Sequence, residues 1–182
     1  MHFYKKLIYI FSSITLLFLF TGCVHQIDKK GLTLSLSESE LTSSFEDSFP
    51  INKDFIFGSI KIDNPKIDIP KASKKIKAGI NLEFATMFTE TQYGSFLIAG
   101  EPYFNKEEAS IYLQNVHIEN FRFAELKLGD TFSKTFLKSL EPMVNQLFKK
   151  YPIYKIPEDS FHGAFVKDIQ IKEEKLLVTY GF

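Results

Sequence analysis

The sequence predicts an α+β domain in which one helix lies on a strongly curved antiparallel β-sheet. Three observations carry that reading. Alternating apolar and polar residues fill the middle of the chain, the period of a sheet with one dry and one wet face. The apolar phase slips twice along the last of these runs, which signals bulges and curvature. A single amphipathic stripe with a period near four residues then spans about twenty residues, a rod of roughly 30 Å.

The elements follow in chain order. Leu32, Leu34 and Leu36 alternate with Thr33 and Ser35 and read as a short strand. Ser37 and Glu40 have the spacing of a capping box, with Leu36 and Leu41 at the staple positions, so a short helix begins there. Its apolar positions are Leu41, Phe45 and Phe49, and Pro50 ends it. Residues 55–62 read as one strand, interrupted at Asn64-Pro65 by a bend or bulge, after which Ile67 and Ile69 resume on the other phase. Ile76, Ala78, Ile80, Leu82 and Phe84 alternate with polar neighbours and form the clearest strand. Residues 93–103 and 109–123 make a further pair across the turn at Asn105-Lys106-Glu107-Glu108. In the second of these, Ile111 and Leu113 give way to Val116 and Ile118, and then to Phe121 and Phe123.

The predicted main helix covers residues 131–151. Phe132, Phe136, Leu140, Val144 and Phe148 recur every fourth residue, and Leu137, Met143, Leu147 and Tyr151 widen the stripe. Lys134, Lys138, Glu141, Asn145 and Lys149 fall on its polar side, and Pro142 kinks it. Residues 163–171 and 176–182 close the chain as a hairpin across Glu173-Glu174.

The 182 residues carry 22 Lys plus Arg against 22 Asp plus Glu, a formal net charge of zero. Without a basic stripe the chain offers no grip on a phosphate backbone, so nucleic acid is not an expected partner. There are 20 Phe and no Trp, so Phe dominates the expected core. The lone cysteine, Cys23, cannot form an internal disulfide.

The N-terminus carries the localisation signal. Lys5 and Lys6 precede an apolar run over residues 7–20, which is shorter than the ~20 residues of a membrane-spanning helix and has the size of a signal-peptide core. Phe20-Thr21-Gly22-Cys23 resembles the bacterial lipobox, with Phe at the position usually held by Leu. The resemblance implies cleavage before Cys23, a diacylglyceryl group on its thiol and an acyl chain, such as palmitate, on its new amine. Several acyl chains hold a protein stably on a membrane. Val24, in place of the Asp that retains lipoproteins at the inner membrane in enteric-type sorting, favours the outer membrane facing the periplasm. The alternatives are an uncleaved anchor and an ordinary secreted protein. The expected organisation is therefore a signal peptide over residues 1–22, a lipidated cysteine and tether over 23–31, and one domain over 32–182.

Across the mature chain the sequence resembles the YceB-like bacterial lipoproteins. The likeness is sharpest at Pro102-Tyr103-Phe104-Asn105-Lys106-Glu107, followed by Ile111-Tyr112-Leu113. It recurs at Leu140-Glu141-Pro142 with Asn145-Gln146, and in kind at the helix start over residues 37–41. The resemblance implies a TULIP-like unit, a curved sheet wrapped around one long helix with an apolar space between that many relatives use for acyl chains. Lipid binding is then an expectation from fold. Its expected lining residues are Phe136, Leu140, Met143, Val144 and Leu147 on the helix, facing Ile80, Leu82 and Phe84.

Catalytic signatures are absent from the sequence: no nucleophile elbow, zinc-protease motif, P-loop or dinucleotide fingerprint occurs. His117 and Glu119 share a strand face but lack a third metal ligand. Asp159, Ser160 and His162 are triad residue types crowded into one loop, where neighbouring side chains diverge. No enzyme activity, metal or cofactor is expected. Two functions remain: a membrane-anchored lipoprotein that binds a lipid or other apolar ligand between helix and sheet, and an envelope interaction or scaffold lipoprotein with a solid core, whose partner is another envelope protein.

Overall fold

The fold was analysed in a computed structural model, which describes residues 24–28, 31–88, 90–123, 130–157 and 165–181. The chain order is β1 (Val24–Asp28), β2 (Gly31–Leu36), α1 (Glu38–Glu46), β3 (Ile51–Phe55), β4 (Gly58–Asp68), β5 (Ile76–Thr86), β6 (Gln92–Asn105), β7 (Ser110–Phe123), α2 (Asp130–Lys150), β8 (Tyr154–Lys155), β9 (Val166–Lys172) and β10 (Lys175–Tyr180). Every pairing is antiparallel.

The expected α+β class, one curved sheet wrapped around one long helix in TULIP-like fashion, is corrected. The protein is mostly β and its strands divide between two sheets, ordered β1-β2-β10-β9 and β3-β4-β5-β6-β7-β8. The reason is long-range pairing. Strand β2 pairs with the C-terminal hairpin, Leu36 opposite Leu176 and Leu32 opposite Tyr180, and β1 adds to its other edge, so the first strands do not extend the central sheet. Helix α2 has β7 as its main sheet partner. It covers the flank of β7 beyond the two residues that β8 pairs, and so shields an otherwise open edge.

Two local readings also change. Residues 24–28, expected to be tether, pair with β2 as strand β1. The run 55–62 is not one strand: the chain reverses at Ile56-Phe57, so that Phe55 opposes Gly58.

Other elements form where the sequence places them, for identifiable reasons. The Ser37 hydroxyl accepts the Glu40 N–H at 3.3 Å, and the Glu40 carboxylate accepts the Ser37 N–H at 2.8 Å. This capping box fixes the start of α1, and Leu36 and Leu41 beside it are buried. The break at Asn64-Pro65 is a register shift in β4, with Asn64 at φ 50°. Both phase slips in β7 coincide with register shifts against β6. At the first, Asn115 takes φ 51° opposite Gly100, where an added Cβ would sit 3.0 Å from the Leu113 and Val116 side chains. Glu173 and Glu174, both at positive φ, make the two-residue turn between β9 and β10.

The core is one continuous cluster. Leu41 and Phe45 of α1 and Val144, Leu147 and Phe148 of α2 meet the apolar faces of β4 to β7, and Leu176, Val178 and Tyr180 of the smaller sheet join them. Phe45 and Phe148 bring the two helices together, with ring centroids 5.5 Å apart. Side chains of α1 also satisfy the β4 backbone: Thr42 accepts the Ile67 N–H at 3.0 Å, and Glu38 accepts the Ile69 N–H at 2.7 Å.

These bonds define two ends. Where β4 finishes, α1 and the smaller sheet are gathered, and Lys71 reaches Glu174 there at 4.0 Å. The turn at Ile56-Phe57 lies one β4 away, 11 residues or about 35 Å of strand.

Candidate functional site

The seam between α2 and β7 is the first place to look, because the sequence puts its expected ligand there. Its packing is graded. At the end gathered by α1, Ile111, Leu113 and Val116 of β7 and Val144, Leu147 and Phe148 of α2 are all buried. Toward the other end, Ile118 and Phe121 of β7, Phe84 of β5, and Leu140 and Met143 of α2 are only half-buried. Of the expected lining residues, Ile80, Leu82, Val144 and Leu147 belong to the packed core, while Phe84, Leu140 and Met143 sit where coverage thins. The side chain of Phe136 lies outside the described residues.

Asn145 is a seam residue that helical periodicity assigned to the polar side. Its amide donates to the Val116 carbonyl at 2.7 Å and accepts the Val116 N–H at 3.1 Å. It also donates to the Glu141 carbonyl at 3.0 Å. Val116 follows the bulge at Asn115 and turns its backbone groups toward the flank that no strand pairs, so a planar amide takes the place of a strand neighbour. The β7 phase slip was the available signal: a bulge near an edge leaves polar backbone needing a partner.

Beyond the half-covered stretch is an exposed apolar end. Ile56 is 86% exposed and Phe88 76%, and Phe57 and Met87 are exposed beside them. The Met87 N–H donates to the Phe57 carbonyl at 3.1 Å, and the Phe57 and Phe88 rings lie 5.9 Å apart, so the two hairpin ends form one patch. Such a patch marks an interaction surface when its residues are contiguous. Sequence reading missed it because Phe55, Ile56 and Phe57 look like buried strand; Gly58 was the hint of a turn.

The opposite face of the large sheet is polar. Lys61 pairs with Asp63 at 3.0 Å and Glu83 at 3.5 Å, and the bond to Asp63 holds its ammonium above the ordinary range. Lys77 pairs with Glu119 at 2.6 Å, and His117 lies 3.9 Å from the same carboxylate. His117 and Glu119 thus stand with a lysine, and among the described residues no group of three His, Cys, Asp or Glu side chains is placed to hold a metal. Open hollows lie on this face, two of them side by side. One of about 380 Å³ is lined by Lys66, Gly79, Asn81, Ser95, Asn120 and Arg122 among others. Its neighbour, about 670 Å³, shares Asn81, Ser95 and Arg122 with it and adds Asp63, Glu83 and Tyr93.

Two tyrosines have raised pKa values. Burial, with the Glu108 carboxylate accepting its hydroxyl, pushes Tyr112 up to about 12. Burial, with Tyr154 nearby, does the same for Tyr180. Residues 1–22, Cys23, Asp159, Ser160 and His162 lie outside the described residues, as does everything expected of them. Among the described residues no helix is long and apolar enough to cross a membrane.

A search of curated proteins finds no match. The model of one protein family, described as "Protein of unknown function (DUF1439)", matches residues 36–175. That span runs from the last residue of β2 to the first of β10 and takes in the large sheet, both helices and the seam between α2 and β7. The chain belongs to the DUF1439 family.

Proposed function

We propose that this protein is a YceB-like lipoprotein, anchored through Cys23 to the outer membrane and facing the periplasm, that binds a lipid or similar apolar ligand along the half-covered stretch of the α2–β7 seam. It acts by binding, without covalent chemistry, metal or cofactor. One observation carries the reading: Leu140, Met143, Phe84, Ile118 and Phe121 are apolar yet half-buried, beside a core in which the same residue types are fully covered. An acyl chain laid against them gains roughly 25 cal/mol for each Å² of apolar surface removed from water. The exposed end at Ile56, Phe57, Met87 and Phe88 provides the way in. In sequence Cys23 immediately precedes β1, which pairs in the smaller sheet.

The test is native purification, extraction with organic solvent and mass spectrometry of what is released. A stoichiometric lipid is expected, and it should be lost from Leu140→Trp, whose larger side chain fills the seam, at unchanged melting temperature. A folded Leu140→Trp protein that still carries the lipid contradicts the seam as its site. The exposed apolar patch favours a second reading, an envelope interaction protein that docks another envelope protein on that end. For that reading, crosslinks confined to the patch in a lipid-free protein are the expected result.

A further inference from the structure

On the polar face of the large sheet some lysines are matched by carboxylates and two cations are not, among the described residues. Lys61 and Lys77 are paired with carboxylates. The side chains of Lys66 and Arg122 make no hydrogen bond or ion pair to any described residue, and both line the hollow over Gly79. Arg122 is the only arginine in the chain. None of that hollow's lining residues is acidic, in a chain with 22 carboxylates. Of the nearby acids, Asp63 and Glu83 line the neighbouring hollow with Arg122 and are held by Lys61, Glu119 is held by Lys77, and Asp68, two residues along β4 from Lys66, is outside the lining.

Strand register builds the site. Asp63 pairs with Asn81, Asn81 with Ser95 and Ser95 with Arg122, while Lys66 pairs with Gly79, Gly79 with Leu97 and Leu97 with Asn120. These are two adjacent rows across the same four strands. Lys66 and Arg122 stand at the two flanks, three strand spacings or about 14 Å apart, a gap that two long cationic side chains close over a ligand of a few ångströms. Gly79 makes the hollow: a Cβ there would meet only the Lys66 carbonyl, at 4.0 Å. The bulge at Asn64-Pro65 raises one rim. Neutral donors line the floor, the Asn81 and Asn120 amides and the Ser95 hydroxyl.

We propose that this hollow binds a phosphate-type anion, gripped by the planar fork of Arg122 and the ammonium of Lys66, with Asn81, Ser95 and Asn120 donating to its remaining oxygens. The chemistry is shared by free phosphate and by the phosphate of a lipid headgroup. The site lies on the face of the sheet opposite the α2–β7 seam, so it stands or falls independently of ligand binding there.

The experiment is equilibrium dialysis of the intact chain, in a maltoside detergent without phosphate, against radiolabelled inorganic phosphate and separately against sn-glycerol 3-phosphate. Saturable one-site binding of at least one probe is expected. It should weaken about tenfold or more in Arg122→Gln, since a charge-assisted fork is lost. Gly79→Val, which fills the hollow with a residue suited to strand, should weaken it as much, and Lys149→Gln on α2 should leave it unchanged. Tighter binding of glycerol phosphate assigns the site to a headgroup, and equal or tighter binding of inorganic phosphate assigns it to the free anion. Absence of saturable binding for both probes, or binding retained in a folded Arg122→Gln protein, overturns the proposal. Should Gly79→Val melt early, the Arg122→Gln comparison still decides.

Discussion

The two halves of the α2–β7 seam are built from the same kinds of residue and covered to opposite degrees. Phe148, Leu147 and Val144 pack against Val116, Leu113 and Ile111 until little surface is left. About one to two turns back along α2 from Phe148, Met143 and Leu140 are only half-buried, as are Ile118 and Phe121 farther along β7. Beyond them Phe57 and Phe88 stand in solvent. Hydrophobicity alone therefore does not separate structural residues from available ones; coverage by neighbours does. The packed half is where α1 joins, through Phe45 against Phe148 and Phe49. Among the described residues, the looser half has no such second helix beside it.

Substitutions should divide along that line. Phe148→Ala removes a fully buried ring that bridges both helices and should cost about 3–5 kcal/mol in chemical denaturation; a loss under about 1 kcal/mol would mean that the packed half is no more essential than the open one. Asn145→Ala leaves the Val116 N–H and carbonyl without their partner and should cost about 1–3 kcal/mol. Hydrogen exchange reads this directly, because the Val116 amide should lose protection in the variant while the Ile111 amide keeps it. In the open half, Met143→Leu conserves volume and should shift stability by less than about 1.5 kcal/mol, with any larger effect reporting that Met143 is packed as tightly as Leu147. At the exposed end, Phe88→Ser should stay within about 0.5 kcal/mol of the parent while reducing self-association or detergent binding measured by light scattering.

Alkaline titration sharpens the comparison from the packed side. Tyr112 and Tyr180 both have pKa values raised to about 12, chiefly by burial. Folding therefore favours their neutral form, and the stability this contributes is complete below pH 10 and lost as pH rises from about 10 toward 12. Melting temperature should fall across that window, and fall less in Tyr180→Phe.

Local chemistry was legible in the sequence. The capping box at Ser37 and Glu40 works through residues three apart. The β7 bulges show because a slip in register moves every later side chain to the other face. The partition into two sheets was not legible, since nothing near Leu36 announces that its partner is Leu176. Neither was the reversal at Ile56-Phe57, because exposed and buried apolar residues read alike. Asn145 looked like a solvent residue on a helical wheel, and only the bulge it faces explains it. The Gly79 hollow has no sequence signature at all; its residues come together from four strands.

The most direct test of the graded seam is a photoreactive fatty acid fed to cells that make the intact chain, with crosslinked peptides mapped after illumination. The account predicts adducts on the segments that hold Leu140, Met143, Phe84 and Phe121, and none on those that hold Leu113 or Leu176. Adducts spread evenly over the surface, or an unlabelled seam in a protein labelled only at Phe57 and Phe88, would contradict it.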